Sequence, residues 1–237
     1  MNKIVFGTDG WRGLTARDFT FDNVNLVAKA IGLYVRDTYR NKPVVIGYDT
    51  RFLAYEFAME VSNVLNSMGF NTLISKEPVP TPTIAFAAMK YDTAGAVMLT
   101  ASHNPPEYSG IKYIPDYAGP ATPDITDEIV SNVQLYQDGS LKFKEAPEKG
   151  KAEFFEPKKD YFECLTNLLD MKKLKESKLK VAYDPLYATG IGYVDGFLKQ
   201  YTKCEVKTIH DNRDPLFGGG MPEPAEKYLG DLKELII

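Results

Sequence analysis

Ser102, His103 and Asn104 stand side by side within Thr100-Ala101-Ser102-His103-Asn104-Pro105-Pro106. A serine hydroxyl is a poor nucleophile until a base, a metal or both act on it. His103, Asn104 and the nearby Lys112 offer a base, a donor and a cation. The apolar run at 94–99 reads as a buried strand, so Ser102 follows a strand end. Pro105 and Pro106 stiffen the turn and keep a helix or strand from starting at once, which presents Ser102 to solvent. A serine hydrolase would instead prefer Gly-x-Ser-x-Gly at a strand-to-helix elbow and a histidine distant in sequence. The only histidines are His103 and His210, and an adjacent Ser and His do not easily form that relay.

A second cluster is Phe6-Gly7-Thr8-Asp9-Gly10-Trp11-Arg12-Gly13. Its three glycines permit close backbone approach, and Arg12 is a planar donor suited to phosphate. Taken alone, such a turn serves a structural role equally well. Gly47-Tyr48-Asp49-Thr50-Arg51 also follows a strand-like run, and there the first reading is structural, with Asp49 and Arg51 as an internal pair that holds a loop.

The elements that must position these residues alternate. Helical spacing of Val24, Val27, Ile31, Tyr34 and Val35 predicts a helix over 22–40, followed by a strand at 43–48. Leu53, Phe57, Val61, Val64, Leu65 and Met68 mark a second helix that stops at Gly69, with a strand at 70–75. Thr81-Pro82 reads as an N-cap with proline at the first helical position, giving a helix over 83–90 and then a strand at 94–100; Thr122-Pro123 opens another helix the same way. The alternation predicts a layered α/β/α fold with mixed, mainly parallel sheets, in which chemistry gathers at strand C-terminal ends.

Lys, Glu, Gly and Pro dominate 137–153, which reads as a connection between domain 1–153 and domain 154–237. The second domain is expected to hold a helix over 157–173, a strand at 179–183, a helix over 190–201, a strand at 205–209, a break at Gly218-Gly219-Gly220-Met221-Pro222 and a last helix to 237. No strand follows, so this sheet looks unfinished.

Composition excludes other classes. Net charge is −4 and the basic residues are scattered, which argues against a nucleic-acid partner. No apolar stretch approaches the roughly 20 residues of a membrane span, and no signal-peptide core follows Met1-Asn2-Lys3, so a cytoplasmic location is expected. Cys164 and Cys204 read as reduced packing residues.

Together and in this order, the three stretches followed by Gly110-Ile111-Lys112-Tyr113 resemble the α-D-phosphohexomutase family. Thr100 to Pro105 looks like its phosphoserine loop, Gly10-Trp11-Arg12-Gly13 like its N-terminal active-site loop, and Gly110-Ile111-Lys112 like the segment bearing its catalytic lysine. The segment Asp214-Pro215-Leu216-Phe217-Gly218-Gly219, with Pro222-Glu223-Pro224, looks like its second domain. The resemblance implies that phosphorylated Ser102 turns a hexose 1-phosphate into a 1,6-bisphosphate, which returns its other phosphate and leaves the 6-phosphate. It implies Mg²⁺ on the phosphoserine, Arg12 and Lys112 beside it, Lys112 and His103 as proton carriers, Asn104 holding the loop, and support from Trp11, Asp49 and Arg51. The implied substrate is a phosphosugar, and Trp11 with Tyr108-Ser109 incline it toward glucose and mannose phosphates.

The family's Asp-Gly-Asp-x-Asp-Arg metal loop is not in the sequence, nor are its third-domain and fourth-domain loops. The expectation is a partial second domain and little mutase activity in this chain alone. The alternatives are a phosphoglucosamine mutase, and a non-catalytic interaction module that keeps the mutase fold.

Overall fold

The computed structural model describes residues 4–7, 10–39 and 42–236. Contacts divide the chain into two compact units: Met1–Asp49, Leu53–Ala101 and Glu107–Glu156 form one; Thr50–Phe52, Ser102–Pro106 and Pro157–Ile237 form the other.

The first unit runs β1 (Trp11–Leu14), α1 (Phe21–Tyr39), β2 (Val44–Tyr48), α2 (Ala54–Ser67), β3 (Thr72–Ser75), α3 (Thr81–Lys90), β4 (Ala96–Leu99), β5 (Tyr108–Ile114), α4 (Pro123–Gln137) and β6 (Ala152–Phe155). Its sheet has the order β1-β5-β4-β2-β3-β6. The β4-β2-β3-β6 run is parallel, and β5 and β1 add antiparallel pairs at one side. Every residue of β2 and β4 is buried, as strands covered on both faces require. Successive side chains go to opposite faces. Val44, Ile46, Val97 and Leu99 join the apolar cluster of α1, α2 and α4, whereas Val45, Ala96 and Met98 pack with Ile84 and Ala88 of α3. The result is the layered α/β/α arrangement with a mixed, mainly parallel sheet. Gly69, at φ +95°, follows α2 in the left-handed conformation that ends helices.

The structure departs from the expected elements where pairing is non-local. β1 and β5 are strands that the sequence reading treated as loop motifs, and β6, which straddles the expected boundary between 153 and 154, hydrogen-bonds along β3. Thr81 is not the N-cap of α3: Pro80 holds the extended pre-helix position, and the helix opens at Thr81 with Pro82 still inside the first turn. There the absent proline N–H costs nothing. Arg40, at the expected end of α1, lies outside the described residues.

The second unit contains α5 (Lys158–Leu168), α6 (Met171–Glu176), β7 (Lys180–Tyr183), α7 (Val194–Tyr201), β8 (Glu205–Thr208) and α8 (Gly230–Ile236). β7 and β8 pair in parallel, Lys180 opposite Glu205 through Tyr183 opposite Thr208. Phe162 of α5 meets Phe197 of α7 edge to face at 5.4 Å, with Tyr193 completing the cluster. The single helix expected over 157–173 is two. Leu169 is extended, and the Asp170 carboxylate accepts the Lys173 N–H at 3.2 Å, which caps a new helix. The helix expected from 190 begins at Val194, because residues 190–193 form a turn. Cys164 and Cys204 are unpaired.

Candidate active site

In the first unit the site begins where β4 ends. The Thr100 N–H donates to the Gly110 carbonyl at 2.8 Å, which continues the pairing one residue past Leu99, and Ala101 is buried. The chain therefore leaves the sheet at Ser102. On β5, Lys112 stands opposite Met98; on β1, Arg12 stands opposite Gly110. Because strand side chains alternate, Gly110 and Lys112 share a face of β5, and Arg12 shares that face from β1. Two half-buried cations thus stand on one face of the sheet's end, an arrangement that gathers positive potential for an anion.

Glycines permit this approach. Gly10 has φ +83°, and a Cβ there would strike the Ile111 carbonyl and stand 2.6 Å from the Cβ of Lys112. A Cβ on Gly110 would lie 3.1 Å from Cγ of Arg12, so the arginine stem crosses the space that a side chain would fill. Thr8 and Asp9 lie outside the described residues. Trp11 points to the other face, is 6% exposed, and stacks on Phe19 at 4.8 Å. Ser109 is also buried and shares a 2.9 Å hydrogen bond with Thr15. Both side chains lie on the face opposite Arg12 and Lys112, and Trp11 supports β1. Asp49 is buried just past β2, and its N–H donates to the Leu99 carbonyl at 3.0 Å.

The Ser102 loop itself belongs to the second unit. Ser102 and His103 are exposed, and Ser102 Oγ and His103 Nδ1 are 3.4 Å apart, the outer limit of a hydrogen bond. Ser102 has φ +56°, a left-handed backbone that costs a non-glycine residue about 1–2 kcal/mol. Arg51, 1% exposed, holds that conformation: its guanidinium donates to the carbonyls of Ser102 at 2.9 Å, Asn104 at 2.7 Å and Pro105 at 2.7 Å. Arg51 therefore grips the serine loop directly, about fifty residues ahead in the chain, a partnership wider than the Asp49–Arg51 pair read from the sequence. Asn104 takes part through its main-chain carbonyl.

Two residues that the sequence reading left without a role also meet Arg51. Arg213 donates to the carbonyls of Thr50 at 3.1 Å and Arg51 at 3.2 Å, and the Phe217 ring lies 5.1 Å from the Arg51 guanidinium carbon. Asp214 accepts the N–H groups of Leu216 and Gly218, which holds its carboxyl below the usual carboxylate range. No local pattern announces such partners. His210 is engaged elsewhere, 3.0 Å from the Asp184 carboxylate and stacked on Tyr187.

Among the described residues no group of three or more His, Cys, Asp or Glu side chains gathers as a metal requires. The described donors alone do not build a magnesium site around Ser102. No described helix is long and apolar enough to cross a membrane.

Two family models match the chain, phosphoglucomutase/phosphomannomutase alpha/beta/alpha domain I over residues 3–139 and domain II over 159–237. The chain belongs to the α-D-phosphohexomutase family. Among phosphohexomutase relatives, a phosphoglucomutase/phosphomannomutase of Thermococcus kodakarensis is 29% identical, with 98% of this chain and 50% of the relative covered. A phosphoglucosamine/phosphogalactosamine mutase of Sulfurisphaera tokodaii is 27% identical over the same shares. The crystal structure of a Thermus thermophilus protein proposed to be a phosphomannomutase superposes with a TM-score of 0.88 at 36% identity, covering 99% of this chain and 52% of that one. The chain thus spans about half the length of the phosphohexomutases it matches.

Proposed function

We propose that the whole protein interconverts hexose 1-phosphates and hexose 6-phosphates through a phosphoryl group carried on Ser102. The observation that carries this reading is the pair of cations, Arg12 and Lys112, on one face of the sheet end from which the Ser102 loop departs. A transferring phosphoryl group spreads negative charge over its oxygens, and fixed positive charge lowers the barrier without reorganisation. In the first half-reaction the bond between phosphorus and Ser102 Oγ breaks while one to the sugar 6-oxygen forms, and the 6-hydroxyl proton passes by way of a base to the departing Ser102 oxygen. In the second half-reaction the Ser102 hydroxyl attacks the 1-phosphate, its proton leaves, and the 1-oxygen departs protonated. Lys112 is our candidate for the proton exchange, with His103 at the rim of the loop as the second.

Both hexose and hexosamine phosphates belong to the proposed substrate class, since the relatives divide between them and two of the three residues first read as inclining toward glucose and mannose, Trp11 and Ser109, are buried.

The test is intact mass after incubation with glucose 1,6-bisphosphate and Mg²⁺. Gain of one phosphate that is lost in Ser102→Ala supports the carrier role. A chain that stays unlabelled, or a label that survives in Ser102→Ala, refutes it.

A further inference from the structure

Phe217 occupies an unusual place for a buried phenylalanine. It is 5% exposed, yet it belongs to none of the three apolar clusters of the described residues. Its ring lies instead against the guanidinium of Arg51, 5.1 Å from ring centroid to Cζ, within the range where ring quadrupole and cation attract. Arg51 is itself 1% exposed, and a desolvated cation gains most from such a face.

The turn that carries Phe217 is built to hold it there. Phe217 has φ +51°, a conformation that a bulky residue adopts only when its surroundings impose it. The Asp214 carbonyl accepts the Phe217 N–H at 3.0 Å, and its carboxylate accepts those of Leu216 and Gly218 at 2.9 Å each. Gly218 follows at φ +65°, where a Cβ would stand 2.6 Å from the Tyr187 ring. One residue ahead of Asp214, Arg213 donates to the main-chain carbonyls of Thr50 and Arg51. A single short segment therefore grips Arg51 twice, by its backbone through Arg213 and by its side chain through Phe217. The guanidinium between them points at the carbonyls of Ser102, Asn104 and Pro105.

We infer that Phe217 is a positioning residue for phosphoryl transfer: its ring fixes the Arg51 fork, and the fork fixes the left-handed backbone that aims the Ser102 hydroxyl. The inference rests on the proposed role of Ser102 as phosphoryl carrier. Its physical content is that a planar fork donates to several carbonyls only in one orientation, and reacting groups displaced by about 1 Å lose on the order of a hundredfold in rate.

Two measurements on the full 237-residue chain test it, each comparing wild type with Phe217→Leu, Phe217→Tyr and Arg51→Lys. The first is the Arg51 guanidinium signal in nitrogen-resolved NMR. A clamped, ring-shielded fork gives slowly rotating, shifted N–H resonances in wild type and Phe217→Tyr, and averaged ones in Phe217→Leu. The second is the rate of Ser102 labelling by glucose 1,6-bisphosphate, expected to fall about tenfold in Phe217→Leu and in Arg51→Lys and to recover in Phe217→Tyr, at unchanged half-saturation. Arg51 resonances that are the same in Phe217→Leu and wild type overturn the inference, as does an unchanged labelling rate in that variant. If wild type takes no label, the carrier reading fails and the Arg51 resonances alone decide whether Phe217 holds the fork. A Phe217→Leu chain that does not fold is replaced by Phe217→Met, which also lacks the ring and is held to the same two outcomes.

Discussion

Lys112 sits half-buried on β5 opposite Met98, so its apolar stem is partly covered. Lys112→Met keeps that stem and removes the charge. Labelling of Ser102 by glucose 1,6-bisphosphate is expected to fall by on the order of a hundredfold, with the circular dichroism spectrum and melting temperature little changed. A loss of both labelling and fold would instead assign Lys112 to packing. The place of Ser102 just past β4 was legible in the sequence because an apolar run precedes it, whereas the strand that carries Lys112 was not. Arg51 was legible as a loop holder, but its acceptors were not. They are main-chain carbonyls, which every residue has, so no side-chain pattern marks Ser102, Asn104 and Pro105 as its partners. Phe217 was hidden for a similar reason, since a phenylalanine among glycines reads as packing until the cation beneath it is seen.

At the scale of elements, α6 exists because Asp170 starts it. Leu169 is extended, and the Asp170 side chain satisfies the otherwise unpaired Lys173 N–H. Asp170→Ala should lower stability by about 1 kcal/mol, read as a lower urea midpoint, whereas Asp170→Asn should retain most of it. Equal midpoints for Asp170→Ala and wild type would mean that the helix does not depend on its cap. The helices α1 and α2 were readable from apolar spacing because one face of each is buried, and α4 from Thr122-Pro123 at its start. β1 and β5 were not. Only Ile111 and Tyr113 alternate with polar positions in β5, and β1 has four residues, so each becomes a strand through its partner and not through its own pattern.

At the scale of the whole molecule, buried and half-buried tyrosines make the fold sensitive to alkali. Burial, with Asp195 and Asp184 nearby, pushes the Tyr183 phenol up to about 12, and burial also raises Tyr34, Tyr39 and Tyr113. The unfolded chain ionises these groups near pH 10. Because the folded values are raised, their contribution to stability is complete below pH 10 and is lost as pH rises toward the folded values. The melting temperature should therefore decline from about pH 10 upward while phenolate absorbance of the folded protein lags behind that of denatured chain. A flat melting temperature across that range would contradict the burial described. The sequence by itself determined the helix–strand alternation, the layered α/β class, the family and the residue types at the strand end, because each is encoded in local spacing or in contiguous motifs. Tertiary structure alone decided that Arg12 and Lys112 share a sheet face, that Trp11 and Ser109 are buried away from it, and that Arg213 and Phe217 secure Arg51 beneath the Ser102 loop. Those relations join residues far apart in the chain through backbone pairing and burial, and neither is written in any one stretch of sequence.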